Sequence, residues 1–122
     1  MATISYTIAE TTQFHDYCQF VTWTPMTNSG SDVGSPYERP GWADRCVQVF
    51  GTFGTGGTVV IEGSNDGTNY ATLADAQGNA LSITTAKIEE ITCVTRYIRP
   101  RITGGDGTTS LTVILSARKA VR

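Results

Sequence analysis

A 122-residue chain with a formal net charge of −2 and a pI of about 5.2 suits nucleic acid poorly, because phosphate binding wants a basic surface. Charged residues make up only 16% and apolar ones 39%, with β-branched and aromatic side chains in most segments, which excludes disorder and disfavours a helical bundle. No run is long and apolar enough to span a bilayer, and Met1–Tyr6 lacks a basic region followed by an apolar stretch. The expectation is one domain over 1–122, made in a cytoplasm, with no membrane partner. A chain of this size buries roughly two-thirds of its unfolded surface, enough for a core without staples.

Along the chain, Ala2 to Ile8 alternates, with Ile4, Tyr6 and Ile8 on one parity, and predicts a half-buried strand. Phe14 to Thr24 predicts another, which Pro25 should end because proline cannot continue the ladder. Met26 to Arg45 has glycines, serines and prolines with no sustained period, and reads as a long loop. Loops of that length in a compact domain are usually functional or interface-forming. Its Tyr37 and Trp42 are rigid aromatics that either make contacts with a partner or fold back onto the core.

From residue 46 onward the chain is a train of short β-rich runs, so 46–118 is the expected β core, 1–45 the early strands and loop, and 119–122 a tail. Cys46 to Phe53 has apolar residues on both faces, as an inner or covered strand would. Thr58 to Glu62 points Val59 and Ile61 inward. The turns Gly63-Ser64-Asn65-Asp66-Gly67 and Gly104-Gly105-Asp106-Gly107 predict tight hairpins, since type I′ turns need positive φ and Gly, Asn and Asp supply it. Tyr70 to Leu73 and Leu81 to Ile83 flank a second loop, Ala74 to Asn79. In Lys87 to Cys93 the spacing of Ile88 and Ile91 fits a helical turn or a bulge as well as a strand. Val94 to Ile102 reads as extended, with Val94, Ile98 and Ile102 on one face and Tyr97, Arg99 and Arg101 on the other, and Pro100 placing it at an edge or bulge. Ser110 to Ala117 closes the domain with Leu111, Val113, Leu115 and Ala117 inward. About eight strands at this spacing predict an all-β, single-domain antiparallel β-sandwich, jelly-roll-like in order.

The chemistry-bearing residues form no catalytic pattern. His15, the one histidine, and Cys18 have opposite strand parity and would point apart. Glu89 and Glu90 are adjacent and project differently. Asn65-Asp66-Gly67-Thr68-Asn69 lacks the acidic spacing and distal glutamate of a calcium loop. Cys18, Cys46 and Cys93 form no C-x-x-C pair and read as reduced core thiols. No enzyme activity, cofactor or metal is expected. Trp23, Tyr37, Trp42 and Tyr70 could form a sugar-stacking platform. Arg99 and Arg101 share a strand face and would be solvated, ion-paired or in contact with a partner.

The segments Asp44–Phe53, Val59–Gly67, Gln77–Leu81, Arg96–Arg101 and Thr103–Gly107, in that order over about the last two-thirds of the chain, resemble a family of small phage structural proteins. The resemblance implies a capsid decoration or cement protein on the outer surface of the head, a virion component whose partner is the major capsid protein and which assembles as a homo-trimer. It transfers no catalytic residues. The expected contact residues are Pro36, Tyr37, Pro40 and Trp42, then Arg99 and Arg101. A tail, baseplate or head-fibre component is the alternative virion role, and a carbohydrate-binding adhesion module the alternative of another class.

Overall fold

The computed structural model describes residues 2–11, 18–28 and 31–119. Among them there is no helix. Eleven strands, β1 (Thr3–Ile4), β2 (Tyr6–Thr11), β3 (Cys18–Thr27), β4 (Val33–Gly34), β5 (Trp42–Thr52), β6 (Thr58–Ser64), β7 (Ala71–Thr72), β8 (Ser82–Ile83), β9 (Lys87–Ile91), β10 (Tyr97–Gly104) and β11 (Ser110–Lys119), form two packed sheets. One runs β1-β4-β10-β6-β7, with β8 also on β6; the other runs β2-β3-β11-β5-β9. All pairings are antiparallel except β1 with β4. The chain changes sheet at every step from β3 to β6 and again from β9 to β11. The result is two interleaved quartets, β3-β11-β5-β9 and β4-β10-β6-β7, which is the jelly-roll order. The sandwich expected from strand spacing is therefore the observed architecture.

The alternation of β11 explains its central place. Leu111, Val113, Leu115 and Ala117 are buried, and the strand is paired on both sides, with β3 and β5. Opposite lie Val59 and Ile61 of β6 and Ile98 and Ile102 of β10, in the same apolar cluster. Burying each such side chain contributes about 1.5–3 kcal/mol. The core is not confined to 46–118: Val21, Trp23, Met26 and Tyr37 belong to it.

Several boundaries differ from the sequence expectation. The first predicted strand is two, because the chain passes from one sheet to the other at Ser5. Pro25 does not end β3. Trp23 pairs with Val113 and Met26 with Leu111, so β3 carries an extra residue there, and the proline sits in that bulge where no ladder bond is required. Lys87–Ile91 is an edge strand, with Ile91 in the core and Ile88 on the opposite, exposed face. Strand β10 begins only at Tyr97, leaving Val94 exposed, and lies inside its sheet, not at an edge. It tolerates Pro100 because β4 pairs with it only at Arg101, leaving the ring against Gly34.

The two glycine turns are not type I′ hairpins. Gly63 pairs with Ala71, so residues 65–70 form a longer loop in which only Gly67 has positive φ, at 80°. Asp66 closes it: its carboxylate accepts the backbone N–H groups of Thr68 and Asn69 and the Asn69 side chain. These donors hold the Asp66 pKa well below the usual carboxylate range. The Gly104–Gly107 turn crosses between sheets, from β10 to β11. There Asp106 accepts from Thr108 and from the Thr55 N–H of the β5–β6 loop, tying two loops together.

Strand β4 passes tightly between Trp23 of the facing sheet and Pro100 of its own. A Cβ on Gly34 would stand 2.6 Å from Pro100 Cδ and 2.7 Å from Trp23 Cδ1. Gly34→Ala is expected to destabilise by about 1–3 kcal/mol through overpacking. A thermal melt should show a midpoint lower by about 5 °C or more. An unchanged melt would show that this contact can relax freely.

Candidate contact surfaces

The segment from Ser35 to Arg45 is short of regular structure yet firmly held. Ser35 receives the Tyr6 N–H on its hydroxyl and the Trp23 indole N–H on its carbonyl, at 3.2 and 3.0 Å. Tyr37 exchanges both backbone bonds with Ile98. Its ring is fully buried, edge-on to Tyr6 with centroids 5.8 Å apart, and its hydroxyl donates to Gln19 Oε1. Tyr37 is thus a core residue and leaves the set of expected contacts: the aromatic folded back inward.

Arg45 holds the far end. It is buried, at 1% exposure, with no carboxylate among its hydrogen-bond partners. Its guanidinium donates to three carbonyls, Trp42 O at 2.8 Å, Arg39 O at 2.9 Å and Thr95 O at 3.4 Å, and lies 5.7 Å from the Tyr37 ring centroid. Burial lowers its pKa from the ordinary arginine value, and Tyr37 opposes this. Sequence reasoning placed Arg45 at the end of a loop and missed this role. An arginine beside the alternating Val47 and Val49, on their parity, was the available signal. Pro36, Pro40 and the partly exposed Trp42 remain at the surface of the anchored segment.

Arg99 and Arg101 share the outer face of the six-stranded sheet, as their parity predicts. Both bond to Glu62 of β6, Arg99 Nε to Oε1 at 2.8 Å and Arg101 Nε to Oε2 at 3.2 Å. Glu62, expected to face outward, does so but is covered by its two partners, at 4% side-chain exposure. Arg99 also lies 3.6 Å from the centroid of the Tyr70 ring. Burial pushes the Tyr70 hydroxyl pKa up, with Arg99 opposing.

The outer face of the five-stranded sheet has a different chemistry, and sequence reasoning did not single it out. One cross-strand row reads Ala9, Phe20, Ser116, Cys46, Glu90; the next reads Thr7, Thr22, Ile114, Gln48, Ile88. Phe50 follows opposite Thr112. Glu90 is the sole charge in these rows. Phe20, Phe50 and Ile88 are 36%, 40% and 61% exposed. The apolar second face of Cys46 to Phe53 was the visible hint.

The remaining expectations fall as follows. Trp23 and Tyr37 are buried, so the four-aromatic sugar platform is not assembled; Trp42 and Tyr70 are its only members near the surface. The three cysteines are thiols but not core ones, because Cys18 and Cys46 are partly exposed and out of phase with their buried neighbours, and Cys93 is exposed. Glu89 and Glu90 project to opposite faces of β9. His15 lies outside the described residues. Among the described residues no group of three or more His, Cys, Asp or Glu could hold a metal ion.

Comparison with protein-family models, with curated proteins and with solved structures finds no match to this chain.

Burial pushes the Tyr37 pKa up from 10 to about 12, against the lowering field of Arg45. The folded pKa lies above the unfolded one, so the stability carried by the protonated hydroxyl is complete below about pH 10 and is lost as pH rises through about 12. Tyr37→Phe should cost about 1–3 kcal/mol at pH 8, because Gln19 loses its donor. The gap between the two proteins in denaturant titrations should then narrow above about pH 10. A gap constant across that range would contradict the buried hydroxyl.

Proposed function

We propose that this domain is a phage virion structural protein, a capsid decoration or cement protein that binds the outer head shell through its sheet faces and the Pro36–Trp42 segment. The observation that carries the reading is the outer face of β2-β3-β11-β5-β9. Between the Arg118–Asp44 pair at one end and Glu90 at one edge, this sheet surface is uncharged and exposes two phenylalanines and an isoleucine, and exposed apolar surface of this kind marks interaction sites. The ordered resemblance of residues 44–107 to small phage structural proteins supports the same reading, and the acidic pI agrees with a protein partner over nucleic acid.

The mechanism is mechanical. A shell under internal pressure fails where neighbouring capsomers part. A rigid domain bridging that seam adds interface, roughly 1,200–2,000 Å² for a specific contact. A homo-trimer gains avidity, because one engaged copy raises the effective concentration of the next. The contact residues of this reading are Phe20, Phe50, Pro36, Pro40 and Trp42, with the Arg99 and Arg101 face second.

Purified protein mixed with undecorated heads should bind saturably at a fixed copy ratio. Phe50→Ser, at an exposed position, should leave the thermal midpoint within about 2 °C and weaken head binding about tenfold or more. Folded wild-type protein that ignores cognate heads ends the decoration reading. Imaging that places it at one vertex would assign it instead to the tail, baseplate or a head fibre.

A further inference from the structure

The geometry points to a receptor for a single carboxylate, presented by an acidic segment of a partner protein and built by Arg99 and Arg101 around Glu62. Only the identity of that partner as the head shell rests on the function proposed above.

Two guanidiniums share one buried carboxylate, so the cluster carries one uncompensated positive charge. Each arginine uses only its Nε on Glu62, and among the described residues neither donates from an Nη atom. A guanidinium engaged through Nε keeps its terminal donors available for a second carboxylate. The side chains are 24% and 40% exposed, so those donors sit at the surface of the sheet and are not sealed inside it. The two residues are about 7 Å apart along one strand, on one face. Glu62 fixes both, and the Tyr70 ring under Arg99 at 3.6 Å restrains that plane further. Little rotamer entropy is left to lose on binding.

The ring that stacks on Arg99 carries a second feature. The Tyr70 hydroxyl oxygen is buried and has no hydrogen-bond partner among the described residues. A buried hydroxyl without a partner costs free energy, so this side of the cluster is held at some expense.

Charge selects the ligand. One carboxylate brings Arg99, Arg101 and Glu62 to neutrality, whereas a phosphate dianion overshoots. A nucleic acid would need several free cations for its successive phosphates, and the next arginine in sequence, Arg96, is already paired with Glu38 at 2.7 Å. An aspartate or glutamate on a partner's surface fits best.

The test is a titration of the full chain followed through the Nε–H signals of its arginines. Hexaglutamate, acetate, inorganic phosphate and chloride are added at matched ionic strength. The Arg99 and Arg101 signals should move saturably with hexaglutamate and acetate and not with chloride. Arg101→Gln should weaken hexaglutamate binding about fivefold or more, and Glu62→Gln, which raises the cluster charge, should strengthen it about threefold. If Arg101→Gln does not fold, Arg101→Lys keeps the charge without the fork and should weaken binding likewise. A merely structural ion pair predicts lower melting for these variants with hexaglutamate binding absent or unchanged, and that result overturns the inference. Tighter saturation by phosphate than by the carboxylates overturns it as well. Hexaglutamate binding by a protein that ignores heads supports this site while ending the decoration reading. Head binding unaffected by Arg101→Gln overturns the head shell as the partner that this site receives.

Discussion

Everything this molecule presents at its surface around residues 36–42 depends on one buried cation. A guanidinium keeps its proton under ordinary conditions, so burying Arg45 requires partners for its donors. Three backbone carbonyls, from Arg39, Trp42 and Thr95, supply them. Two of these carbonyls, from Arg39 and Thr95, lie outside the strands, so the need is mutual. The arginine completes the hydrogen bonding of the loop, and the loop makes burial of the arginine tolerable. Tyr37 closes the arrangement by pairing with Ile98 on its backbone and standing beside the cation with its ring. A segment with the composition of a flexible loop is thereby fixed to both sheets. Pro36, Pro40 and Trp42 are displayed with their ordering cost already met during folding, which favours binding over a loop that must order on contact.

The two outer faces of the sandwich differ in chemistry. The five-stranded sheet shows threonines, glutamine and exposed phenylalanines, and its binding would be governed by area removed from water and by close fit. The six-stranded sheet shows the arginine pair around Glu62, and its binding would be governed by charge and by the geometry of planar forks. The first kind of surface contributes affinity with little directional demand. The second contributes register and an association rate that falls with salt. Under the proposed decoration role, a domain seated in one orientation between neighbouring subunits would benefit from having both, on opposite sides of the sandwich.

Much of the architecture was legible because it depends on local periodicity. Alternation in Ser110–Ala117 and Thr58–Glu62 named the inward residues, and the parity of Arg99 and Arg101 put them on one face. What escaped depends on contacts distant in sequence. Pro25 looked like a strand end, but a bulge created by the register of β11 absorbs it. Pro100 looked like an edge marker, but the shortness of β4 leaves it room inside the sheet. The glycine turns had the residues of tight hairpins, yet Asp66 and Asp106 gather N–H donors and set longer loops instead. Arg45 was missed, and Tyr37 left open between contact and core, for the same reason: a polar residue inside a sandwich is recognisable only once its partners are known, and Thr95 and Ile98 are some fifty residues or more away in the chain.

The same geometry weighs against sugar recognition by stacked aromatics. Such a platform needs ring faces open to solvent. Trp23 spends its faces on the core and its N–H on the Ser35 carbonyl, and Tyr37 is enclosed by Tyr6, Arg45 and Gln19. Tyr70 has one ring face covered by Arg99. Trp42 is then left as a single partly exposed ring at the start of β5, and one ring supplies contact area without the paired spacing that would select a saccharide. Under the proposed role, a partly exposed tryptophan on a segment stiffened by Arg45 suits contact with a protein surface, where rigid aromatics lose little entropy and bury much area.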